Sequence, residues 1–260
     1  MIIKIKDENK VIPLIQIKCI FVMIGDIKII EVKDFDLKGG YVVDGFPYDG
    51  YAGSIAAESM IRTSEFEFAG FMDSESFPPV SIIREGIPNY PVNIFVNEKL
   101  KVAVFLSHLH LPEPFSKEIA TVILQYAKKH QCKQIISSMK ITGIEISKEI
   151  SAVGSTDNAR DVIRKLGMNI ILNATMPGIP GILLVKGRFS NQDVIVLLFS
   201  EKSNRNTDLE YGAKLCLTMG MLIPNLPCNL KLIEGETVIV EKMIKQTQNE
   251  LKTINDTMYG

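Results

Sequence analysis

The chain has 260 residues, 46% of them hydrophobic, and a formal net charge of −1. That length supports one large α/β domain or two small ones, with a well-buried core. The near-neutral balance, with acids and bases mixed along the chain, lacks the single-sign footprint of a binder of nucleic acid or anionic membrane.

Residues 1–38 show short alternating runs, Ile3 to Lys6, Gln16 to Met23 and Ile27 to Val32. Asp7-Glu8-Asn9 and Gly25-Asp26 separate them as turns, so this part reads as a β-rich extension packed on the core. Val11 to Ile24 is apolar, but Pro13, Gln16 and Lys18 interrupt it and it is too short to span a bilayer.

The next stretch organises the chain. Val42 to Ile61 reads V-V-D-G-F-P-Y-D-G-Y-A-G-S-I-A-A-E-S-M-I, a strand, a glycine turn and an alanine-rich helix. Such a unit opens an α/β layer, and its first turn often holds an anion. Gly45, Gly50 and Gly53 are therefore candidate ligand-binding residues. Their spacing fits neither G-x-G-x-x-G nor a P-loop, and tight strand–helix packing explains them without a ligand.

After a helix ending near Thr63, strands are expected over Phe66 to Met72 and Val80 to Arg84, then a hairpin of Val92–Val96 and Val102–Ser107. Ser116 is expected to cap a helix through Ala127, Gln134 to Met139 to form a strand, and Thr156 to cap a helix stopped by Gly167. Met168 to Leu172 reads as a strand, Ile182 to Phe189 as a helix and Val194 to Phe199 as an apolar strand. Thr207 and Glu210 make a capping box for the helix Asp208 to Leu222. Strands alternating with helices at this pitch imply an α/β fold with a mainly parallel central sheet flanked by helices. After Pro227, Leu230 to about Ile254 reads as one long helix with a narrow apolar stripe, suited to packing on the domain or on a second copy. The single α/β domain thus spans 39–254, and 255–260 form a flexible tail.

Signals for chemistry are sparse. His108 and His110 alternate at the end of a strand, so both are expected on one face with Glu113 nearby, a set able to hold zinc. A strand-edge decoration is the plainer reading. Ser151, Ser155, Thr156 and Asp157 cluster in an expected loop, Gly143 to Asp157, and suit an anion or, equally, helix capping. Gly178-Ile179-Pro180-Gly181 forms a glycine turn before a helix, and Asp44, Asp73, Glu75 and Asp157 are carboxylates able to meet at one sheet edge. Neither H-E-x-x-H nor G-x-S-x-G occurs. No acid, base and nucleophile stand out together, so neither catalysis nor a cofactor is expected. The four cysteines, Cys19, Cys132, Cys216 and Cys228, contain no C-x-x-C and read as reduced thiols of a cytoplasmic protein.

The order D-G-F-P-Y-D-G-Y-A-G-S-I-A-A, S-F-P-P, P-G-I-P-G-I-L-L and V-I-V-L-L-F, with a capped helix before a long terminal one, resembles the proteasome-assembly chaperone family in its archaeal branch. The likeness runs from about residue 40 to the end; the family's usual opening turn is closer to G-F-P-G than the G-F-P-Y present here. It implies a three-layer sandwich akin to nucleoside phosphorylases, a homo-oligomer, and binding to proteasome α-subunits without catalysis. It also gives the last residues a role. Met258-Tyr259-Gly260 matches hydrophobic–Tyr–any residue at a free C-terminus, the HbYX tail by which proteasome activators and some of these chaperones dock between α-subunits. A free carboxylate for a lysine, a phenol for an apolar groove and Met258 for its rim make that docking chemically sound. The rival expectation is an enzyme or ligand-binding protein for a nucleoside or phosphorylated substrate at the glycine turns.

Overall fold

The computed structural model describes residues 22–48, 50–84, 86–111, 113–141, 150–200 and 207–228. The strands expected before residue 22, the terminal helix over 230–254 and the tail at 255–260 lie outside the described residues.

Among the described residues ten strands, numbered in chain order, form one sheet in the order β1-β2-β4-β7-β8-β3-β9-β12-β10-β11. β1 (Val22–Ile24) and β2 (Ile27–Glu31) make the hairpin expected at Gly25-Asp26; Gly25 sits at φ +62°, where glycine is least strained. The parallel centre consists of β8 (Val102–Ser107), β3 (Tyr41–Gly45), β9 (Gln134–Lys140) and β12 (Asp193–Phe199). β4 (Glu67–Asp73) and β7 (Val92–Asn97) extend it antiparallel on one side. β10 (Ser151–Gly154) runs antiparallel to β12 on the other, with β11 (Asn169–Ile170) at the edge.

Successive residues of the buried strands feed two separate cores. Val42, Ile135 and Val196 face α2 (Ser116–Lys129) and α4 (Gly178–Ser190). Val43, Ile136 and Leu197 face α1 (Ala52–Thr63), α3 (Asp157–Lys165) and α5 (Thr207–Leu222). A strand covered on both faces has no polar side to show, which is why β12 reads as an unbroken apolar run. The result is helix, sheet and helix in three layers. No described helix is long and apolar enough to cross a membrane.

One buried ionic contact ties the outer hairpin to this body. Burial alone raises the Glu31 carboxyl, but hydrogen bonds and charge from His130 and Lys129 at the end of α2 hold it below its usual range. Lys129 sits in the last turn of α2, where the helix dipole favours a positive charge, and His130 lies just past it.

Several local expectations are corrected. Ser116 is the first residue of α2 rather than its cap; Phe115 precedes it and no side chain caps the end. Met168 to Leu172 yields only the two residues of β11. Ser151–Gly154, expected within a loop, is the strand β10. Cys216 and Cys228, expected as reduced thiols, are disulfide-bonded with Cα atoms 5.9 Å apart, since the turn after α5 brings the chain back beside it. Cys132 is free and buried, and burial pushes its thiol up to about 12.

Candidate functional site

The carboxyl ends of the parallel strands are where α/β sheets place their ligand crevices, and the organising stretch lies there. β3 ends in Asp44-Gly45, and the chain turns through Phe46-Pro47-Tyr48 into α1. Asp44 is fully buried. Its carboxylate accepts from Ser137 Oγ at 2.6 Å, from the Tyr48 hydroxyl at 2.5 Å and from the Phe46 N–H at 3.1 Å. Burial pushes its pKa up to about 6, and the three hydrogen bonds act in the opposite direction. Burial and then the Asp44 charge push the Tyr48 phenol well above its ordinary value. The network therefore joins turn, β3 and β9 into one rigid corner.

The three candidate glycines are packing positions around that corner. A Cβ at Gly45 would lie 2.6 Å from Ala57 Cβ and 2.8 Å from Phe105 O. One at Gly53 would meet Ser138 Oγ at 2.8 Å, and one at Gly50 would meet Asp208 Oδ1 at 2.6 Å. Ser54 Oγ donates to Gly45 O at 3.0 Å, closing the start of α1 onto the strand. Close packing at Gly45 and Gly53, and a φ of +114° at Gly50, give each glycine a structural reason.

Beyond the corner is an open cleft of about 350 Å³, lined among others by Tyr48, His110, Glu113, Ser116 and Gly178. The N-termini of α2 and α4 both reach it. Glu113 on the same rim opposes an anion.

His108 and His110 do not share a face. β8 ends at Ser107, so strand alternation no longer applies to the residues after it. His108 is buried beside Glu58, 3.4 Å between Nε2 and Oε2, while His110 is exposed in the cleft with Glu113. Among the described residues no group of three or more His, Cys, Asp or Glu is placed to hold a metal ion.

The hydroxyl cluster is committed to structure. Thr156 Oγ1 accepts from the Ala159 N–H at 3.0 Å as the cap of α3. Ser155 Oγ donates to Gln192 O and accepts from the Val194 N–H, both at 2.8 Å. Asp157 pairs with Arg160 at 2.6 Å and lies beside the start of β12, at the opposite end of the strands from Asp44. Gly178 to Gly181, expected as a turn before the helix, are the first turn of α4.

Two features were not anticipated from sequence. One is the Asp44–Tyr48–Ser137 network, which needs β3 and β9 side by side. The other is a second pocket beyond α1, holding Glu58, His108 and Asn93. The only signal for it was an acidic residue, Glu58, between Ala57 and Ser59 in the alanine-rich helix.

A family model described as PAC2 family matches residues 42–247, starting where the organising stretch starts. An uncharacterized protein of Methanocaldococcus jannaschii is 24% identical over 226 residues, covering 86% of this chain and 92% of its own. Among solved structures, Pyrococcus furiosus PbaA, described as an archaeal homolog of proteasome-assembly chaperone, superposes with a TM-score of 0.71 at 22% identity, covering 85% of this chain and 96% of that one. PbaB of the same organism, described as an archaeal proteasome activator, gives 0.64 at 15% identity over 86% and 99% of the two chains. A Thermoplasma acidophilum protein of unknown function gives 0.73 at 16% identity over 86% and 91%. At these identities the structural likeness speaks to the fold.

Proposed function

The chain belongs to the PAC2 family, and from that membership we propose that it is a proteasome-assembly chaperone or proteasome-binding factor, working by association and not by catalysis. The observation that carries the reading is the family match across 42–247, over a body that shares its fold with PbaA and PbaB. The corner at Asp44 supports it. A carboxylate closed in by a strand, a tyrosine and a serine braces a scaffold and is not presented to a substrate.

The partner is the α-subunits of the proteasome, as soluble subunits or as an assembled ring, in the cytoplasm. The contact is made by the C-terminal Met258-Tyr259-Gly260. Its carboxylate meets a lysine, and the Tyr259 ring enters an apolar groove with its hydroxyl hydrogen-bonded. A single tail binds weakly, so the chain acts as a homo-oligomer in which several tails add through effective concentration. Apolar side chains left on the outer helices suit such self-association: Val185 and Phe189 on α4, and Leu217 and Met221 on α5, are all exposed.

The direct test is capture of purified α-subunits on the immobilised full chain. Stoichiometric, saturable retention is the expected result, and absence of retention of both free subunits and rings would refute the reading.

A further inference from the structure

β5 (Ile82–Arg84) and β6 (Ile87–Asn89) pair with each other, apart from the main sheet. A two-stranded ribbon is marginal in water unless it lies on something. Beneath this one is a pocket of about 220 Å³ between α1 and strands β4, β7 and β8. Its walls are apolar, chiefly Phe68, Phe95, Leu106, Ile82 and Pro88. Phe68 and Phe95 meet edge to face, with ring centroids 6.0 Å apart.

The polar groups of the pocket are Glu58, His108 and Asn93, all buried, and Asn89, half-buried on the ribbon. Glu58 accepts from Arg62 Nε at 2.9 Å and lies 3.4 Å from His108 Nε2, so its charge is already matched. Asn93 is different. Its Nδ2 donates to Tyr90 O at 3.0 Å, while its buried Oδ1 receives no hydrogen bond. An amide oxygen shut away from water without a donor is costly, and native proteins rarely leave one unexplained. An apolar enclosure in which Asn93 Oδ1 is left without a donor favours an apolar body that brings a donor to that oxygen, without net charge, since a charge here would be desolvated without a free counter-charge.

We propose that this pocket binds a small neutral aromatic molecule bearing one hydroxyl or N–H, the ring seated among Phe68, Phe95 and Leu106 and the donor on Asn93 Oδ1. The site is separate from the C-terminal docking tail and stands or falls apart from the proteasome reading.

The probes are p-cresol and toluene, alike in shape and differing in the donor, titrated into the full chain and followed by calorimetry and methyl NMR. The expected result is saturable binding of one p-cresol per chain, about tenfold tighter than toluene. Asn93→Leu should erase that preference, and Ile87→Trp, at the half-exposed mouth, should weaken both probes at least tenfold while circular dichroism stays unchanged. Tyr259→Ala should leave p-cresol affinity unaltered. Tighter binding by that variant would mean the chain's own tyrosine competes for the pocket, overturning assignment to a free ligand. No saturable p-cresol binding, or equal affinity for both probes in the unmodified chain, would overturn the proposal without reference to any variant.

Discussion

A carboxylate in the position of Asp44 makes stability depend on pH in an unusual direction. Its folded pKa, about 6, lies above the ordinary value of 3.8 because burial disfavours the charge more than three hydrogen bonds restore it. Between those values the folded state holds a proton that the unfolded state has released. The stabilisation is therefore complete below pH 4 and is lost as pH rises through 6, by about 3 kcal/mol. Asp44→Asn keeps the shape and removes the titration. Denaturant titrations of both proteins at pH 4.5 and 7.5 should show the variant gaining on the wild type by about 2 kcal/mol, since part of the stabilisation is already lost at pH 4.5. A difference independent of pH would mean that the Asp44 proton is not linked to folding.

At the scale of elements, the corner depends on the absence of side chains. Gly45→Ala would push a Cβ into Ala57 and the Phe105 carbonyl, separating β3 from α1. Gly181→Ala would place one 1.9 Å from Met176 O, at the entry to α4. Each should cost about 1–3 kcal/mol, read as a fall in the denaturant midpoint without a change in its slope. The Cys216–Cys228 bridge closes a loop with a sequence separation of 12 across the end of α5. Reduction should lower stability by about 3 kcal/mol on the loop-entropy account. Peptide mapping under non-reducing conditions checks the pairing, and an unaltered melting temperature in reductant would contradict its contribution. Apolar periodicity made α1, α2, α3, α5 and β12 legible in the sequence, because each buries a regular stripe or run. It failed where burial and polarity part company. Ser151-Ala152-Val153-Gly154 looks like a loop, yet β10 is buried because β12 lies beside it. α4 begins four residues earlier than its apolar run suggested, since a helix's first turn tolerates Pro180 and the close approach of Gly181. The organising stretch was legible as a strand–turn–helix unit. The partners of Asp44 were not, because Ser137 is 93 residues away and only the order of the strands brings it near. Glu58, His108 and Asn93 likewise come from α1, the end of β8 and β7, with no spacing to announce their meeting.

For the whole molecule, the fold is a rigid platform, and the proposed function rests on what it carries and how many copies of it assemble. Apolar side chains outward on α4 and α5 should be covered in a homo-oligomer, so light scattering at micromolar concentration should give a multiple of 29.0 kDa. A monomer would remove the multivalency on which tail binding relies. The most direct measurement is the affinity of the α-ring for the unmodified chain and for three tail variants: Tyr259→Ala, deletion of Met258-Tyr259-Gly260, and an extension after Gly260. Saturable binding by the unmodified chain is the expected result, with a loss of about 2–4 kcal/mol per tail in each variant while fold and oligomer stay intact. Equal α-ring binding by all four proteins would contradict docking through the tail, and no binding by any of them would contradict the proteasome as partner.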